Sequence, residues 1–248
     1  MVYLPAISHL VRGFVLTSSV VPETPYFDAI WPITEPLFAS YARRWEMDWI
    51  PQFPTPEELA PFASSPAPVG TGAVYAGIPQ RRQWLDEYKG VVFLDSDAVI
   101  MSDKYDLCRE VTENCPIAAA GNFNGAVVVM RSHPWSRRFL DAVWDQREKY
   151  RHYQWLEQAA MMELVGFDGN YPGDNLPSAY LGDTEWTPRW SHLSGRDNAH
   201  YAHPQEVRPL IWHPGGLQPF SERLRCVKAA VAGDLSEWWP RWADLPDW

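Results

Sequence analysis

The stretch Val91-Val92-Phe93-Leu94-Asp95-Ser96-Asp97-Ala98-Val99-Ile100 decides the fold, because two acidic residues stand where an apolar run ends. The run from Val91 to Leu94 has the pattern of a strand that is covered on both faces, in a parallel or mixed sheet. Asp95 and Asp97 follow where the backbone turns, and their carboxylates can converge on one divalent cation, which takes oxygen ligands. The sequence therefore predicts an α/β fold with a cation site at the end of a central strand.

Two other interpretations explain the same acidic pair. Asp95 or Asp97 can accept hydrogen bonds from the backbone of a turn, which is a common use of aspartate. An Asp-x-Asp pair after an apolar strand is also the nucleophile and acid pair of haloacid-dehalogenase phosphatases. Here the pair lies more than ninety residues into the chain and no Gly-Thr follows it, which argues against the phosphatase interpretation.

The composition is that of one globular domain. The chain has 248 residues, of which 46% are hydrophobic and 21% charged, and this suits a single α/β domain with a substantial core. No apolar run approaches the roughly 18 residues of a membrane span, and the first residues lack the pattern of a secretory signal. The three cysteines show no paired spacing. We therefore expect a cytoplasmic protein without a membrane span or a disulfide framework.

The charge balance limits the partners. The formal net charge of -10 argues against broad capture of nucleic acid, since phosphate binding depends on Lys and Arg. A local basic path is compatible with this balance, so a nucleic-acid acceptor stays open.

Hydrophobic patterning predicts a single Rossmann-like central sheet, parallel or mixed, flanked by helices. The predicted strands are residues 13–20, 47–50, 91–94, 126–130 and 210–212. The predicted helices start near Thr34, span 78–88, start after Ser132, span 153–165, and form a docked terminal helix within 235–248. The proline-rich segment 51–71 is predicted to be a long loop.

Polar residues near the other strands are candidate ligand contacts. Thr17, Ser18 and Ser19 end the first predicted strand, where ligands sit in open α/β sheets, although an ordinary turn explains them as well. Arg81 can reach a diphosphate or lie on a solvated helix face. Asn124 and Gly125 let the backbone approach a ligand or form a simple turn.

His213 follows a short apolar run and precedes Gly215 and Gly216. A histidine at a strand end, followed by glycines whose amides can approach phosphate, would complete an oxygen and nitrogen shell with Asp95 and Asp97. A hydrogen-bonded loop histidine is the competing interpretation.

Taken in order, these segments resemble the retaining galactosyl-, mannosyl- and xyloglucan xylosyltransferases of glycosyltransferase family 34, and more distantly family 8, which share a GT-A fold. The resemblance covers most of the chain from about Pro36 to Gly216. The matching segments are Phe38–Trp45, Phe93–Ala98, Asn124–Ser136, Trp155–Gln158 and His213–Gly216. Where related enzymes often carry a lysine after the last of these, Arg223 or Arg225 is expected to contact the diphosphate.

The resemblance implies a Mn²⁺ (or Mg²⁺) site formed by Asp95, Asp97 and His213. It also implies that Gln158, with Glu157, lies near the anomeric carbon of the donor sugar. The predicted donor contacts combine the candidates taken from the residues themselves with residues of the matching segments. They are Thr17, Ser18, Ser19, Arg81, Asp95, Ser96, Asn124, Gly125, Gly215 and Gly216.

The expected function is metal-dependent, retaining transfer of a hexose or pentose from a nucleotide-sugar, most simply a UDP-sugar, to a hydroxyl acceptor. The acceptor is a saccharide, a small molecule or a hydroxylated DNA base. Within one domain spanning 1–248, residues 13–125 would mainly bind the donor, 126–216 would face the acceptor and close the metal site, and 217–248 would form a Trp-rich tail. The alternatives are a non-catalytic carbohydrate-binding protein on the same scaffold and the Asp-x-Asp phosphatase.

Overall fold

The structure, a computed structural model, describes residues 12–63, 71–120, 124–153, 156–169, 179–193, 199–200, 209–214, 219–239 and 245. Gly215 and Gly216 lie outside these ranges, as do Trp242 and Trp248 of the tail. None of the helices within them is long and apolar enough to cross a membrane.

The described residues form nine strands and nine α-helices. The strands are β1 (Arg12–Thr17), β2 (Asp48–Trp49), β3 (Tyr88–Leu94), β4 (Val99–Ile100), β5 (Ile117–Ala120), β6 (Asn124–Arg131), β7 (Trp190–Leu193), β8 (Ala199–His200) and β9 (Ile211–His213). The helices are α1 (Pro25–Ala29), α2 (Trp31–Arg44), α3 (Pro56–Leu59), α4 (Thr71–Ala76), α5 (Ile78–Glu87), α6 (Pro134–Asp145), α7 (Arg147–Tyr150), α8 (Leu156–Leu164) and α9 (Phe220–Val231).

The central sheet is mixed, with the strand order β2-β1-β3-β6-β5-β7. β1 pairs in parallel with β2 and β3, whereas β3 pairs antiparallel with β6. β4, β9 and β8 form a second, small sheet. This arrangement confirms the predicted α/β class with a mixed central sheet flanked by helices.

Strand β3 is covered on both faces, as its continuous apolar pattern predicts. Val91 and Phe93 pack into a core under α4, α5, α6 and α8, and Val92 and Leu94 pack into a core on the side of α2. Successive side chains of a strand point to opposite faces, so one run of four apolar residues serves both cores. Asp95 and Asp97 follow directly after the part of the strand that is buried on both faces.

Two sequence predictions about helix ends are corrected. Helix α2 begins at Trp31 rather than near Thr34, and Pro36 lies inside it. The Thr34 hydroxyl does not cap this helix but donates to the Ser96 carbonyl at 2.7 Å. Thr34, which the sequence pattern placed at a helix start, therefore forms a tertiary contact instead. In the segment predicted to be a loop, a capping box between Thr55 and Glu58 starts the short helix α3.

The sequence analysis missed helix α9, which spans Phe220–Val231. The terminal helix predicted within 235–248 lies mostly outside the described residues, and residues 236–238 form a turn. Leu235 and Trp239 are buried, and the centroid of the Trp239 ring lies 4.6 Å from that of the Trp212 ring of β9. Helix α9 and this turn therefore pack against the body of the protein.

Gly90 in β3 generates a stability prediction. A Cβ at this position would lie 2.2 Å from Phe14 Cε1 and 2.4 Å from the Met130 carbonyl oxygen of the neighbouring strand. Gly90→Ala should therefore lower the free energy of unfolding by about 1–3 kcal/mol through overpacking, measured by urea denaturation. The exposed neighbour in the same strand supplies the control, because Lys89→Ala meets no such contact. Equal stability of the two variants would contradict the packing described.

Candidate metal centre and adjoining polar site

The acidic turn begins directly after β3. The Asp95 amide donates to the Ala126 carbonyl at 2.8 Å, which extends the pairing of β3 with β6, and the Ala98 amide donates to the Asp95 carbonyl at 2.9 Å, which closes the turn. β4 then starts at Val99. The turn presents Asp95 half-buried and Asp97 with only 3% of its surface exposed.

The small sheet brings His213 to the two acids. β4 and β9 are antiparallel, with Val99 opposite Trp212, so the residue after Trp212 lies beside the acidic turn. His213 Nε2 is 3.1 Å from Asp97 Oδ1 and 3.3 Å from Asp95 Oδ2. The expectation that His213 meets the two acids, which lie more than a hundred residues earlier in the sequence, is confirmed.

The three side chains fit a divalent cation. Each offers one ligand atom, and these atoms lie within 4.8 Å of one another. Two carboxylate oxygens and one imidazole nitrogen suit a divalent ion such as Mn²⁺, with oxygen ligands contributing most of the set. The burial of Asp97 and His213 would shield such an ion from bulk water. The identity of the ion belongs to the proposal below.

Charge pairing decides the protonation of the cluster. Burial alone would raise the pKa of Asp97, but the charge and hydrogen bond of His213 and the charge of Arg223 outweigh it and lower this pKa. Burial alone would lower the pKa of His213, and the two carboxylates reverse this and raise it. Asp97 and His213 therefore form a buried ion pair in which the Asp97 carboxylate stays ionised.

Tyr26, which the sequence analysis did not select, and Arg223, which it did, complete the surroundings. The Ser96 hydroxyl lies 3.3 Å from the Tyr26 hydroxyl, and burial together with the charge of Asp97 raises the pKa of Tyr26. Arg223 of α9 places Nη1 3.4 Å from Asp97 Oδ2. Arg225 instead pairs with Glu222 and Glu237 on the surface, so of the two arginines only Arg223 reaches the cluster.

A second group of polar residues lies on the side of Asp95 that faces α8. The Gly125 amide of β6 donates to Gln158 Oε1 at 3.2 Å. Glu157 is 5% exposed, and its Oε2 has no hydrogen-bond partner among the described residues. Burial, reinforced by the negative charge of Asp95, raises the pKa of Glu157 to about 8. The sequence places Glu157 and Gln158 side by side, but only the fold brings them near Asp95.

Arg81 completes this second group. It is 3% exposed, which excludes a solvated helix face, and its guanidinium carbon lies 4.3 Å from the centroid of the Phe93 ring. Nε donates to the Gly77 carbonyl at 3.3 Å and Nη2 to the Val74 carbonyl. Burial lowers the pKa of Arg81 to about 10, and the charges of Glu157 and Asp95 act against that shift.

Two of the three polar residues at the end of β1 donate hydrogen bonds within the protein. The Thr17 hydroxyl donates to the Ile50 carbonyl at 2.7 Å and the Ser19 hydroxyl to Gln52 Oε1 at 2.9 Å. Both hydroxyl protons are thus used within the protein. Ser18 is also fully buried, but its hydroxyl has no partner among the described residues. The Asn124 side chain makes a local bond, in which its Oδ1 accepts from the Ala126 amide at 2.8 Å.

Comparison with solved structures identifies the fold. The chain is similar to a glycosyltransferase involved in the glycosylation of the major capsid of PBCV-1, with 15% identity over 88% of this chain and 98% of that chain, at a TM-score of 0.59. It also matches glycosyltransferase GlyE of Streptococcus pneumoniae TIGR4, with 16% identity over 94% of this chain and 63% of that chain, at a TM-score of 0.48. Mouse xyloside xylosyltransferase 1 matches with 12% identity over 85% of this chain and 100% of that chain, at a TM-score of 0.48.

No family model and no curated protein matches the sequence. The mixed sheet, the acidic turn after β3 and the structural similarity together define a GT-A glycosyltransferase fold, which confirms the predicted fold class.

The acidic cluster generates a metal-binding prediction. Asp97→Asn should weaken Mn²⁺ binding by about tenfold or more, because loss of even an outer-shell partner of a metal site costs that much. Electron paramagnetic resonance of free Mn²⁺ measures this binding. Asp141→Asn, which changes an exposed carboxylate of α6, should bind as the wild type does. Equal affinity in both variants would remove Asp97 from the metal site.

Glu157 generates a pH prediction. Its pKa of about 8 in the folded protein exceeds the ordinary 4.5, so the folded state keeps a proton that the unfolded state releases. Its contribution to stability is present below about pH 4.5 and is lost as the pH rises towards 8. Glu157→Gln should therefore gain stability relative to the wild type between pH 5 and pH 8, measured by urea denaturation in chelator. A pH-independent difference would contradict the raised pKa.

Proposed function

We propose that the protein is a divalent-metal-dependent, retaining glycosyltransferase that moves a hexose or pentose from a nucleotide-sugar to a hydroxyl acceptor. The observation that carries this proposal is the convergence of Asp95, Asp97 and His213 at the carboxyl end of β3 in a GT-A fold. A carboxylate pair with an imidazole is chemically suited to Mn²⁺ or Mg²⁺, which can also bind a diphosphate.

The three ligands and Arg223 would hold the diphosphate half of the donor. When bound, Mn²⁺ or Mg²⁺ supplies Lewis-acid stabilisation of the negative charge on the departing nucleoside diphosphate. Arg223 adds a positive side chain at the same place, since it lies 3.4 Å from Asp97. We propose further donor contacts from Ser18, Ser96 and the glycines at 215 and 216, of which the last two rest on the family resemblance.

Glu157, Gln158 and Arg81 would hold the sugar half of the donor. Gln158 Oε1 accepts from the Gly125 amide, and Nε2 donates to Met162 Sδ at 3.9 Å, so the second N–H of the NH₂ group would orient the sugar. The unpartnered Oε2 of Glu157 would bind a sugar hydroxyl, since an unsatisfied buried oxygen is costly. An amide is a poor nucleophile, so Gln158 favours positioning over covalent catalysis.

Retention would then follow from attack on the face that the leaving group occupies. The acceptor oxygen bonds to the anomeric carbon as the bond from that carbon to the phosphate oxygen breaks. The acceptor proton passes to the departing phosphate oxygen, which balances the step without a separate base. The residues near the anomeric carbon hold the sugar and exclude water.

The acceptor we propose is a saccharide or a hydroxylated small molecule, and the donor class is a UDP-sugar. The net charge of -10 gives no support to a modified DNA base. The GT-A fold and the engagement of both acids with His213 give no support to the Asp-x-Asp phosphatase either.

A thermal-shift panel tests donor and metal together. UDP-galactose, UDP-glucose and UDP-xylose are each added with Mn²⁺ or with chelator. One of them should stabilise the protein only with Mn²⁺, by about 2.7 kcal/mol at a hundred times its dissociation constant. Stabilisation by a plain glycan that ignores metal and nucleotide would instead support a carbohydrate-binding protein.

Turnover is tested with the same donor. Hydrolysis or transfer should be abolished in His213→Ala and retained in His133→Ala, whose imidazole caps α6 away from the acidic turn. Full activity in excess chelator, or in His213→Ala, would overturn the proposed mechanism.

A further inference from the structure

The buried side chain of Gln52 links the ends of β1 and β2 to the start of α5. Gln52 lies three residues after the end of β2, is 7% exposed, and forms a parallel bridge with Ser19. Its side-chain Oε1 accepts from the Ser19 hydroxyl at 2.9 Å, and its Nε2 donates to the Gly77 carbonyl at 3.0 Å. Its backbone is also bonded, to Ser18 and Val20. Every polar group of this residue is therefore oriented, which makes it a rigid connector.

The Gly77 carbonyl connects the hydrogen bonds of Gln52 to Arg81 of the candidate site. The same oxygen accepts from Gln52 Nε2, from the Arg81 amide at 3.1 Å and from Arg81 Nε at 3.3 Å. Gly77 joins α4 to α5 and has no side chain, so its peptide has more conformational freedom than other residues do. The Gln52 amide removes this freedom, because it fixes the direction of the carbonyl to which Arg81 donates.

The packing around Gly77 shows that the amide lies directly against the backbone. A Cβ at residue 77 would fall 2.5 Å from Gln52 Oε1 and 2.8 Å from Ser19 Oγ. Burying a side-chain amide against the glycine backbone destabilises the fold unless the hydrogen bonds of the amide are formed. These hydrogen bonds of Gln52 fix the position of the start of α5 relative to the ends of β1 and β2.

Arg81 carries this orientation into the site. Its bonds to described residues use Nε and Nη2, and the guanidinium lies over Phe93, the residue two positions before Asp95. Glu157 and Asp95 both act on its charge. The remaining N–H groups can therefore serve a ligand that lies between α8 and the acidic turn.

We propose that Gln52 is a positioning residue, which holds the Gly77 carbonyl and through it the Arg81 guanidinium, and so determines how tightly the sugar part of the donor binds. The second half of this statement rests on the proposed function. The first half concerns the geometry of the protein alone. Gln52 itself touches none of the reacting groups.

Two measurements test the proposal with the full chain. The first follows the Arg81 Nε–H signal by NMR, which is protected from exchange in the wild type because it donates to the Gly77 carbonyl. In Gln52→Met, which keeps the volume but removes both polar atoms, this signal should exchange faster or broaden. An unchanged signal would overturn the proposal.

The second measurement compares the affinity of UDP with that of the UDP-sugar that stabilises the wild type, both with Mn²⁺. Gln52→Met should weaken the UDP-sugar about tenfold, which is the scale of one hydrogen bond, and UDP by less than about twofold. Equal weakening of both ligands would mean general loss of structure and would overturn the positioning role. Ile117→Val, in β5 of the core, controls for a small loss of stability.

Ser19→Ala keeps the test decisive if Gln52→Met does not fold. This substitution leaves the Gln52 amide in place and removes only the hydroxyl that donates to its Oε1. The change in the Arg81 Nε–H signal and the loss of UDP-sugar affinity should therefore have the same direction as in Gln52→Met but be smaller. Absence of both effects in Ser19→Ala would then overturn the proposal. If the wild type binds no UDP-sugar, the proposed function fails, and the NMR measurement still decides whether Gln52 positions Arg81.

Discussion

The contact of one imidazole with two carboxylates at the end of β3 is the interaction on which the functional site depends. His213 Nε2 lies 3.1 Å from Asp97 and 3.3 Å from Asp95, and Arg223 approaches Asp97 from α9. Two neighbouring carboxylates repel each other, and burying them is costly unless cations or hydrogen bonds compensate. The positive groups here come from the C-terminal part of the chain. The small sheet and α9 therefore contribute to the site, because their residues His213 and Arg223 compensate the negative charge of the two acids.

Packing of the C-terminal elements makes this contact possible. Val99 of β4, Trp212 of β9 and Cys226 of α9 share one buried cluster, which Leu235 and Trp239 close from the tail. The Trp212 indole N–H lies 3.2 Å from the Cys226 sulfur, which joins β9 to α9. The apolar contacts thus hold two elements whose neighbouring residues, His213 and Arg223, face the acids. A hydrophobic cluster provides the rigidity that the charged cluster needs.

The site has two sides with different electrostatics. On the α9 side, His213 and Arg223 keep Asp97 ionised. On the α8 side, Glu157 lies deep in the protein with a pKa raised to about 8, and Arg81 is its main nearby positive charge. Carboxyl groups in environments that shift their pKa values apart are typical of sites that bind or process ligands. Asp95 lies between the two sides and influences both.

Local patterns determined much of this protein by themselves. The apolar run before Asp95, the helix over residues 78–87 and the helix after His133 were predictable, because burial on both faces, helical periodicity and an N-terminal cap depend on neighbouring residues alone. The ordered motifs also indicated the GT-A fold and the three side chains of the candidate metal centre. Tertiary structure alone decided the rest. The pairing of Val99 with Trp212 brings His213 to the acids, Thr34 bonds to Ser96 instead of capping a helix, and Arg81 is buried rather than solvated. These are contacts between distant segments, and their energies depend on register and packing, which local sequence does not encode.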